Sequence, residues 1–282
     1  MKKVLSLVVI FMLVCLLSGC AGARDRITVI SREDGSGTRD AFVEIFDIRQ
    51  QGNNGEEWDA TVLTADITNS TGVMLQSVSQ NKSAIGYVSM GSLTDSVKAI
   101  KIDSSEPTKE NVRDGKYIAA RAFNIAVMPD IDELTQDFIG FILSAHGQQI
   151  VEENGYVAVS NKEDYNSSKL DGKITVSGSS SVSPVMEKLI EAYASVNPNA
   201  QIELQTSDST TGANSVMQGI SDIGMLSRKL KDGEQASGLT SVVIAKDGIA
   251  VIVNCDNPIE ELTSEQVRKI FMGEVTLWSE IE

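Results

Sequence analysis

Two stretches of this 282-residue chain start with nearly the same residues and continue in the same way. Ile27–Ser31 (ITVIS) and Lys173–Ser177 (KITVS) are β-branched runs of strand type. Each passes at once into a tight run of small residues and then a helix start. The first loop is Arg32-Glu33-Asp34-Gly35-Ser36-Gly37-Thr38-Arg39, and the second is Gly178-Ser179-Ser180-Ser181-Val182-Ser183-Pro184, whose proline suits a first helical position. A strand, a short loop and a helix N-terminus leave free backbone N–H groups and the positive end of the helix dipole facing one point, which makes a ready anion site. Taken singly, each loop is equally a capped helix after a turn, since Ser and Thr are preferred N-caps. Neither is a nucleotide motif: Gly35-Ser36-Gly37 lacks the third glycine of a dinucleotide fingerprint, and no Walker lysine follows. Arg32 beside the first loop carries a planar guanidinium suited to a tetrahedral oxyanion, so the two loops together resemble the jaws of one clamp.

The rest of the chain alternates β-rich runs with helix-period segments, the pattern of an α/β protein with mainly parallel sheets. Thr38–Ile48 places Ala41, Phe42, Ile45 and Phe46 on one helix face. Ala84–Val88, Val97–Ile102, Tyr156–Val159, Gln201–Gln205, Ser241–Ile244 and Ile249–Asn254 read as strands. Leu134–Glu153 reads as a long helix interrupted near Ser144, Pro184–Ser195 as a helix, and Thr263–Phe271 as a closing helix. Asn161–Gly172 is polar and without periodicity, the clearest linker in the sequence.

The N-terminus sets the compartment. Lys2 and Lys3 precede a mostly apolar stretch, Val4–Leu17, too short to span a bilayer, and Leu17-Ser18-Gly19-Cys20 resembles a bacterial lipobox. Met1–Gly19 is therefore expected to be removed and Cys20 lipidated, leaving 20–26 as a tether; an ordinary signal peptide with a chance cysteine is the alternative. Ala21–Arg26 would reach at most ~20 Å when extended. Cys15 leaves with the leader, and Cys255 is expected to be a small buried hydrophobe. With few cysteines and one histidine, His146, no zinc site or disulfide framework is expected. The net charge of −15 excludes a nucleic-acid binder, which needs a basic surface. A 41% apolar composition excludes disorder as the main state.

SREDGSGTRDAF (Ser31–Phe42), IGYVSMGSL (Ile85–Leu93), SGSSSVSPVMEKLIEAY (Ser177–Tyr193), SDIGMLSRKL (Ser221–Leu230), AKDGIAVIVN (Ala245–Asn254) and LTSEQVRKIFMGEVTLWSEI (Leu262–Ile281) together resemble the phosphate-binding lipoprotein of Pst-type ABC importers. That resemblance implies a type II periplasmic-binding-protein fold, two α/β lobes joined by two crossing strands and closing on an oxyanion. The segment order differs from the usual one, in which the SGSSS half comes first. A circular permutation is therefore expected, with Asn161–Gly172 joining the former ends; a fusion of two halves that do not close on each other is the alternative. The resemblance implies one lobe of 27–92 plus 256–282 and another of 93–255, with crossings near Leu93–Lys101 and Ile249–Asn254. It places phosphate contacts at Ser180 and Ser181 and at Arg32, Ser36, Gly37 and Thr38, with Ser209 a looser match and Asp34 holding Arg32. Ser227-Arg228 stands where some members carry an acidic ligand after the serine, so Ser227 and Arg228 become candidates too, and selectivity would rest on another acceptor or on how Arg228 is paired.

The implied function is extracytoplasmic binding of inorganic phosphate and its delivery to an ABC importer permease. The binder would be a monomer held to the membrane by its lipid, with no metal, no organic cofactor and no enzymatic activity. Binding or sensing of another oxyanion (sulfate, arsenate, molybdate) without transport is one alternative. A lipoprotein that binds a partner protein and no ligand is the other. A Ser-His hydrolase is disfavoured because His146 lies in a helix interruption, Ser144–Gln148, away from both loops.

Overall fold

The computed structural model describes residues 25–52, 55–159 and 164–281. The leader, Cys15, Cys20 and the beginning of the 161–172 linker lie outside the described residues. In chain order the first elements are β1 (Thr28–Arg32), α1 (Gly37–Ile45), β2 (Arg49–Gln51), β3 (Glu57–Asp59), β4 (Asp66–Thr68), α2 (Thr71–Gln80), β5 (Ala84–Ser89), β6 (Val97–Ala99), β7 (Lys101–Ile102) and α3 (Lys109–Arg113). Next come β8 (Ala120–Val127), α4 (Glu133–Leu143), α5 (Ala145–Glu153), β9 (Gly172–Ser179), α6 (Ser183–Val196), β10 (Ala200–Ser207) and α7 (Ser209–Met217). The chain closes with β11 (Ile223–Leu226), α8 (Asp232–Ala236), β12 (Thr240–Asn254), β13 (Glu261–Leu262) and α9 (Ser264–Met272).

The main sheet runs β10-β9-β11-β8-β12-β5-β1-β4. Strands β10, β9 and β11 are mutually parallel, as are β5, β1 and β4, and the antiparallel pair β8/β12 joins the two triplets. Of the hydrophobic cores along this path among the described residues, two are large. One gathers Phe42, Tyr87 and Phe271, with Phe42 stacked on Tyr87 at 4.0 Å between ring centroids. The other gathers Phe138, Phe141, Tyr193 and Ile174. This is the two-lobed α/β architecture expected of the sequence.

The lobes meet at places other than those expected. Ser241–Ile244 and Ile249–Asn254 are parts of one 15-residue strand, β12. Its Ile244 and Ala245 lie in the Ser-rich lobe's core, while Ile249, Val251 and Val253 lie in the Arg32 lobe's core. The second crossing is at Ala119–Ala120: Ala119 belongs to the Arg32 core and Phe123 to the other. Residues around Leu93–Lys101 do not cross. Val97–Ala99 pair with the far end of β12, and Ile100, Ile102, Val112 and Tyr117 fill the Arg32 core, so the boundaries at 93 and 255 move to about 119 and 249. Ala245-Lys246-Asp247-Gly248 looks like a break in sequence. It continues as strand because Asp247 stands directly opposite Arg121 on β8.

Local signals hold well. Ser144 ends α4 and caps α5, its hydroxyl accepting from the Gly147 N–H, which is the interruption predicted there. Thr263 forms a capping box with Gln266 at the start of α9. Helix α1 stops at Ile45, short of Ile48, because Asp47 takes φ 52° and turns the chain into β2. Tyr156–Val159 contributes one bridge, Val157 to Lys246, in place of a full strand. Cys255 is exposed, a correction to the buried reading: it sits in the turn just past β12, outside both cores, with its Sγ 3.6 Å from the Asp95 carbonyl oxygen. The described part of the linker is irregular yet attached. Tyr165 packs edge-on against Phe141 and donates to Asp137, and Asn197 donates to the Leu170 carbonyl.

Strands β8 and β12 lie on opposite sides of that linker in sequence and share a ladder from Thr240↔Val127 to Gly248↔Ala120. Proteolytic cleavage inside Asn161–Gly172 should therefore leave the two fragments associated on size exclusion without denaturant, and separation under those conditions would contradict the single fold.

Candidate functional site

Arg32 closes β1 and its side chain is 3% exposed. Its Nε and Nη2 donate to the two oxygens of Glu33 at 2.8 and 2.7 Å, and Nη2 also reaches across the lobes to Ser180 Oγ at 3.2 Å. Tyr87 stands below the loop, bonded to Ser31 Oγ and accepting from the Arg32 N–H; burial pushes its phenol up to about 12. Ser36 then caps α1, accepting from the Arg39 N–H, and Gly37 and Thr38 open the helix.

The opposing jaw is β9, a turn, and α6 with Pro184 in its first turn, as predicted. Thr38 Oγ1 lies 2.8 Å from Ser181 Oγ and 3.4 Å from Ser227 Oγ. Ser227 Oγ is in turn 3.0 Å from Ser179 Oγ and 3.3 Å from Ser209 Oγ, and the Ser227 N–H donates to Ser209. Thr71, at the start of α2, donates its N–H to Ser180 Oγ at 3.3 Å, and its hydroxyl is within 3.3 Å of both Ser180 and Ser181. Arg32, Thr38, Thr71, Ser179, Ser180, Ser181, Ser209 and Ser227 are all buried. They form one cluster of hydroxyls and helix N-termini drawn from both lobes, with the Arg32 guanidinium bonded to it through Ser180.

The lobes touch because a side chain is missing. A Cβ on Gly37 would lie 2.4 Å from Ser209 Oγ and 2.8 Å from Ser227 Oγ. Beside it, the Thr210 N–H donates to the Gly35 carbonyl across the same cleft.

Two expected roles change. Asp34 does not hold Arg32: it is turned to solvent and pairs with Arg39 at 2.6 Å, while the adjacent Glu33 takes the Arg32 fork. Arg228 lies beside the cluster but its fork is bound to Glu234 at 2.8 and 2.7 Å, with Thr210 on Nη2 and Asp40 Oδ2 3.1 Å from Nε. Each arginine around the cleft is thus matched by carboxylate: Arg32 by Glu33, Arg39 by Asp34 and Asp59, Arg121 by Asp247, and Arg228 by Glu234 and Asp40. An anion here would be held by oriented N–H and O–H dipoles rather than by surplus formal charge, which suits a small, multiply accepting oxyanion. The cluster's hydroxyl and N–H groups are hydrogen-bond donors to an anion. His146 is exposed on α5, edge-on to Phe141, in the second core.

Residues 18–146 and 164–281 match the PBP superfamily domain. Phosphate-binding protein PstS 2 of Streptococcus agalactiae serotype V is 45% identical over 287 residues, covering 99% of this chain and 98% of its own length. The chain belongs to the PstS family within that superfamily. The crystal structure of a phosphate ABC transporter's phosphate-binding protein from Streptococcus pneumoniae TIGR4 is 44% identical, covers 91% of this chain and 100% of its own, and has a TM-score of 0.72. Phosphate-binding protein PstS of Bacillus subtilis is similar over a shorter stretch, 32% identical over 115 residues, or 40% of this chain and 38% of its own.

In this PstS-family chain, sequence reasoning missed Thr71 and gave Ser179 no role. Thr71 follows Ser70, the cap of α2, after a strand of three residues, β4. Asn69-Ser70-Thr71-Gly72 repeats the small-residue helix start of the other two loops, but so short a strand leaves no periodic signal before it.

Gly37→Ala should hold the lobes apart, giving a larger radius of gyration by small-angle scattering than the parent protein. For Glu234, burial acts upward, but hydrogen bonds from Arg228 and the Lys231 N–H and the charge of Arg228 outweigh it and hold the carboxyl below its ordinary range. The stabilisation is therefore complete above the unfolded value of ~4.3 and is lost as the pH falls through the lower folded value. Glu234→Gln should flatten the acid limb of Tm against pH below about 4.5.

Proposed function

We propose that this protein captures inorganic phosphate outside the cytoplasm between its two lobes and delivers it to the permease of an ABC importer. One observation carries the reading: Arg32 and the hydroxyls of Thr38, Thr71, Ser180 and Ser181 come from opposite lobes yet lie within 3.3 Å of a partner across the cleft. These hydroxyls at present satisfy one another, and an oxyanion seated among them would accept the same hydrogens together with the helix N-terminal N–H groups. Phosphate is also what the relatives of this chain are named for binding. Ser36, Gly37, Ser209 and Ser227 complete the proposed contacts through the α1 and α7 N-termini and the strand end after β11. Arg228 and Asp34 support neighbouring side chains.

Two further parts of the reading concern topology and anchorage. Alignment along the whole length of the Streptococcus agalactiae relative, but along 38% of the Bacillus subtilis one, supports a circular permutation relative to the latter, since one collinear half is what a permuted pair leaves in common. Lipidation at Cys20 would tether the Arg32 lobe. Among the described residues no helix is long and apolar enough to cross a membrane. Asp25 bonds to Ser279 and Arg26 bridges to Leu277, so the body is fixed from Asp25 onward, within ~18 Å of Cys20 along a fully extended chain.

Titration calorimetry of the mature protein against phosphate, arsenate, sulfate and molybdate tests the ligand. Phosphate should bind most tightly, and a preference for sulfate or molybdate would replace it. Arg32→Ala should weaken phosphate binding by more than the ~1.5–3 kcal/mol typical of a hydrogen bond to a charged group, because the guanidinium presents two donors to one anion. Unchanged affinity would place the ligand elsewhere.

A further inference from the structure

Arg121 and Asp247 face each other on β8 and β12 where these strands pass from one lobe to the other. Their side chains are 4% and 0% exposed. Burying such a pair costs about as much desolvation energy as the attraction returns, and an apolar pair of similar volume is often as stable. Stability alone gives little account of it, so its remaining hydrogen bonds matter.

Arg121 Nε and Nη2 both donate to Asp247 Oδ2, at 3.1 and 3.0 Å. Asp247 Oδ1 accepts from Ser89 Oγ, at the end of β5 in the Arg32 lobe. The guanidinium is fixed by these bonds and by Phe123, whose ring centroid lies 5.1 Å from its central carbon. Its Nη1 donates to the carbonyl of Ser227 at 3.2 Å. Ser227 lies just past the last paired residue of β11, so no ladder partner holds that carbonyl. Its N–H is held by Ser209, and the next carbonyl, that of Arg228, accepts from Asn124. Its hydroxyl is the hub that meets Ser179, Ser209 and Thr38. A tilt of this one peptide moves three hydroxyl contacts of the cluster at once.

We infer that Arg121 is a positioning residue for the oxyanion site: anchored by Asp247 at the crossing, it fixes the Ser227 peptide and with it the directions of the surrounding hydroxyls. The inference rests on the phosphate reading for its ligand, but the placement of the Ser227 carbonyl can be observed without any ligand. A lysine at 121 keeps the charge opposite Asp247 and lacks the planar fork that serves Asp247 and Ser227 together. An asparagine at 247 retains one oxygen, enough to accept from both Nε and Nη2 as Oδ2 does, with its amide N–H turned to the Ser89 hydroxyl; the anchor of Arg121 is thereby kept while the compensating negative charge is removed.

The test compares Arg121→Lys and Asp247→Asn in the full mature protein. Phosphate Kd is measured by calorimetry, Tm by circular dichroism, and the Ser227 carbonyl carbon shift by NMR in the ligand-free state. Arg121→Lys should raise Kd at least tenfold and move the Ser227 carbonyl resonance, while Asp247→Asn should leave Kd within threefold or lower it, even where both lower Tm. Equal losses of affinity in the two variants, or an Arg121→Lys protein with parental Kd, would overturn the inference. Should either single variant fail to fold, the paired replacement Arg121→Met with Asp247→Leu is measured instead: a tenfold rise in Kd at near-parental Tm supports the inference, and a parental Kd overturns it. If the parent binds no phosphate, the functional reading fails by itself, and an unmoved Ser227 carbonyl resonance in Arg121→Lys would separately remove the positioning role.

Discussion

Strand β12 belongs to two hydrophobic cores at once, and the rest of the molecule is arranged around that fact. Its first half is one rung of the Ser-rich lobe and its second half one rung of the Arg32 lobe. Fifteen residues at ~3.3 Å each span ~50 Å, enough to serve both. With β8 alongside, the lobes share two strands at their junction, so relative motion must bend the backbone near Ala119–Ala120 and Gly248–Ile249. The parallel triplets on either side then direct their helix N-termini toward the same cleft, since each βα unit places the loop after its strand at the same edge. The hydroxyl cluster is a consequence of topology before it is a consequence of side-chain choice.

The charges around the cleft follow a consistent rule. Four arginines are present and each is met by carboxylates. An acidic protein can therefore hold an anion without a basic surface, because the field at the site is set by groups within a few ångströms, whereas distant charge is screened over ~8–10 Å in physiological salt. Fixed dipoles also discriminate by geometry, since each hydroxyl can turn its proton toward or away from the ligand while a guanidinium cannot.

Much of this was legible in the sequence where local chemistry decides the outcome. Ser36, Ser144, Pro184 and Thr263 mark helix starts through capping geometry, which depends on a few adjacent residues. The two jaws were legible for the same reason. Long-range compensation was not. Lys246-Asp247-Gly248 looks like a turn until Arg121, remote in sequence, is seen across the ladder. The pairing of Glu33, and not Asp34, with Arg32 depends on how the turn after β1 directs two neighbouring carboxylates. Residues 97–119 fall in the Arg32 lobe because Ile100, Ile102 and Tyr117 are buried in its main core and Val97 packs with Ile30 and Val88 on the other face of its sheet, and their apolar character alone does not say which core receives them.

The way the first described residues are fastened bears on force. Asp25 bonds to Ser279, Arg26 bridges to Leu277, and the Ile27 N–H donates to Thr276, so the chain enters the body alongside the segment that follows α9. A pull applied at Asp25 loads these bonds in shear at the rim of the Arg32 lobe first, and only the part of the force that acts on the Ser-rich lobe passes through the two crossings.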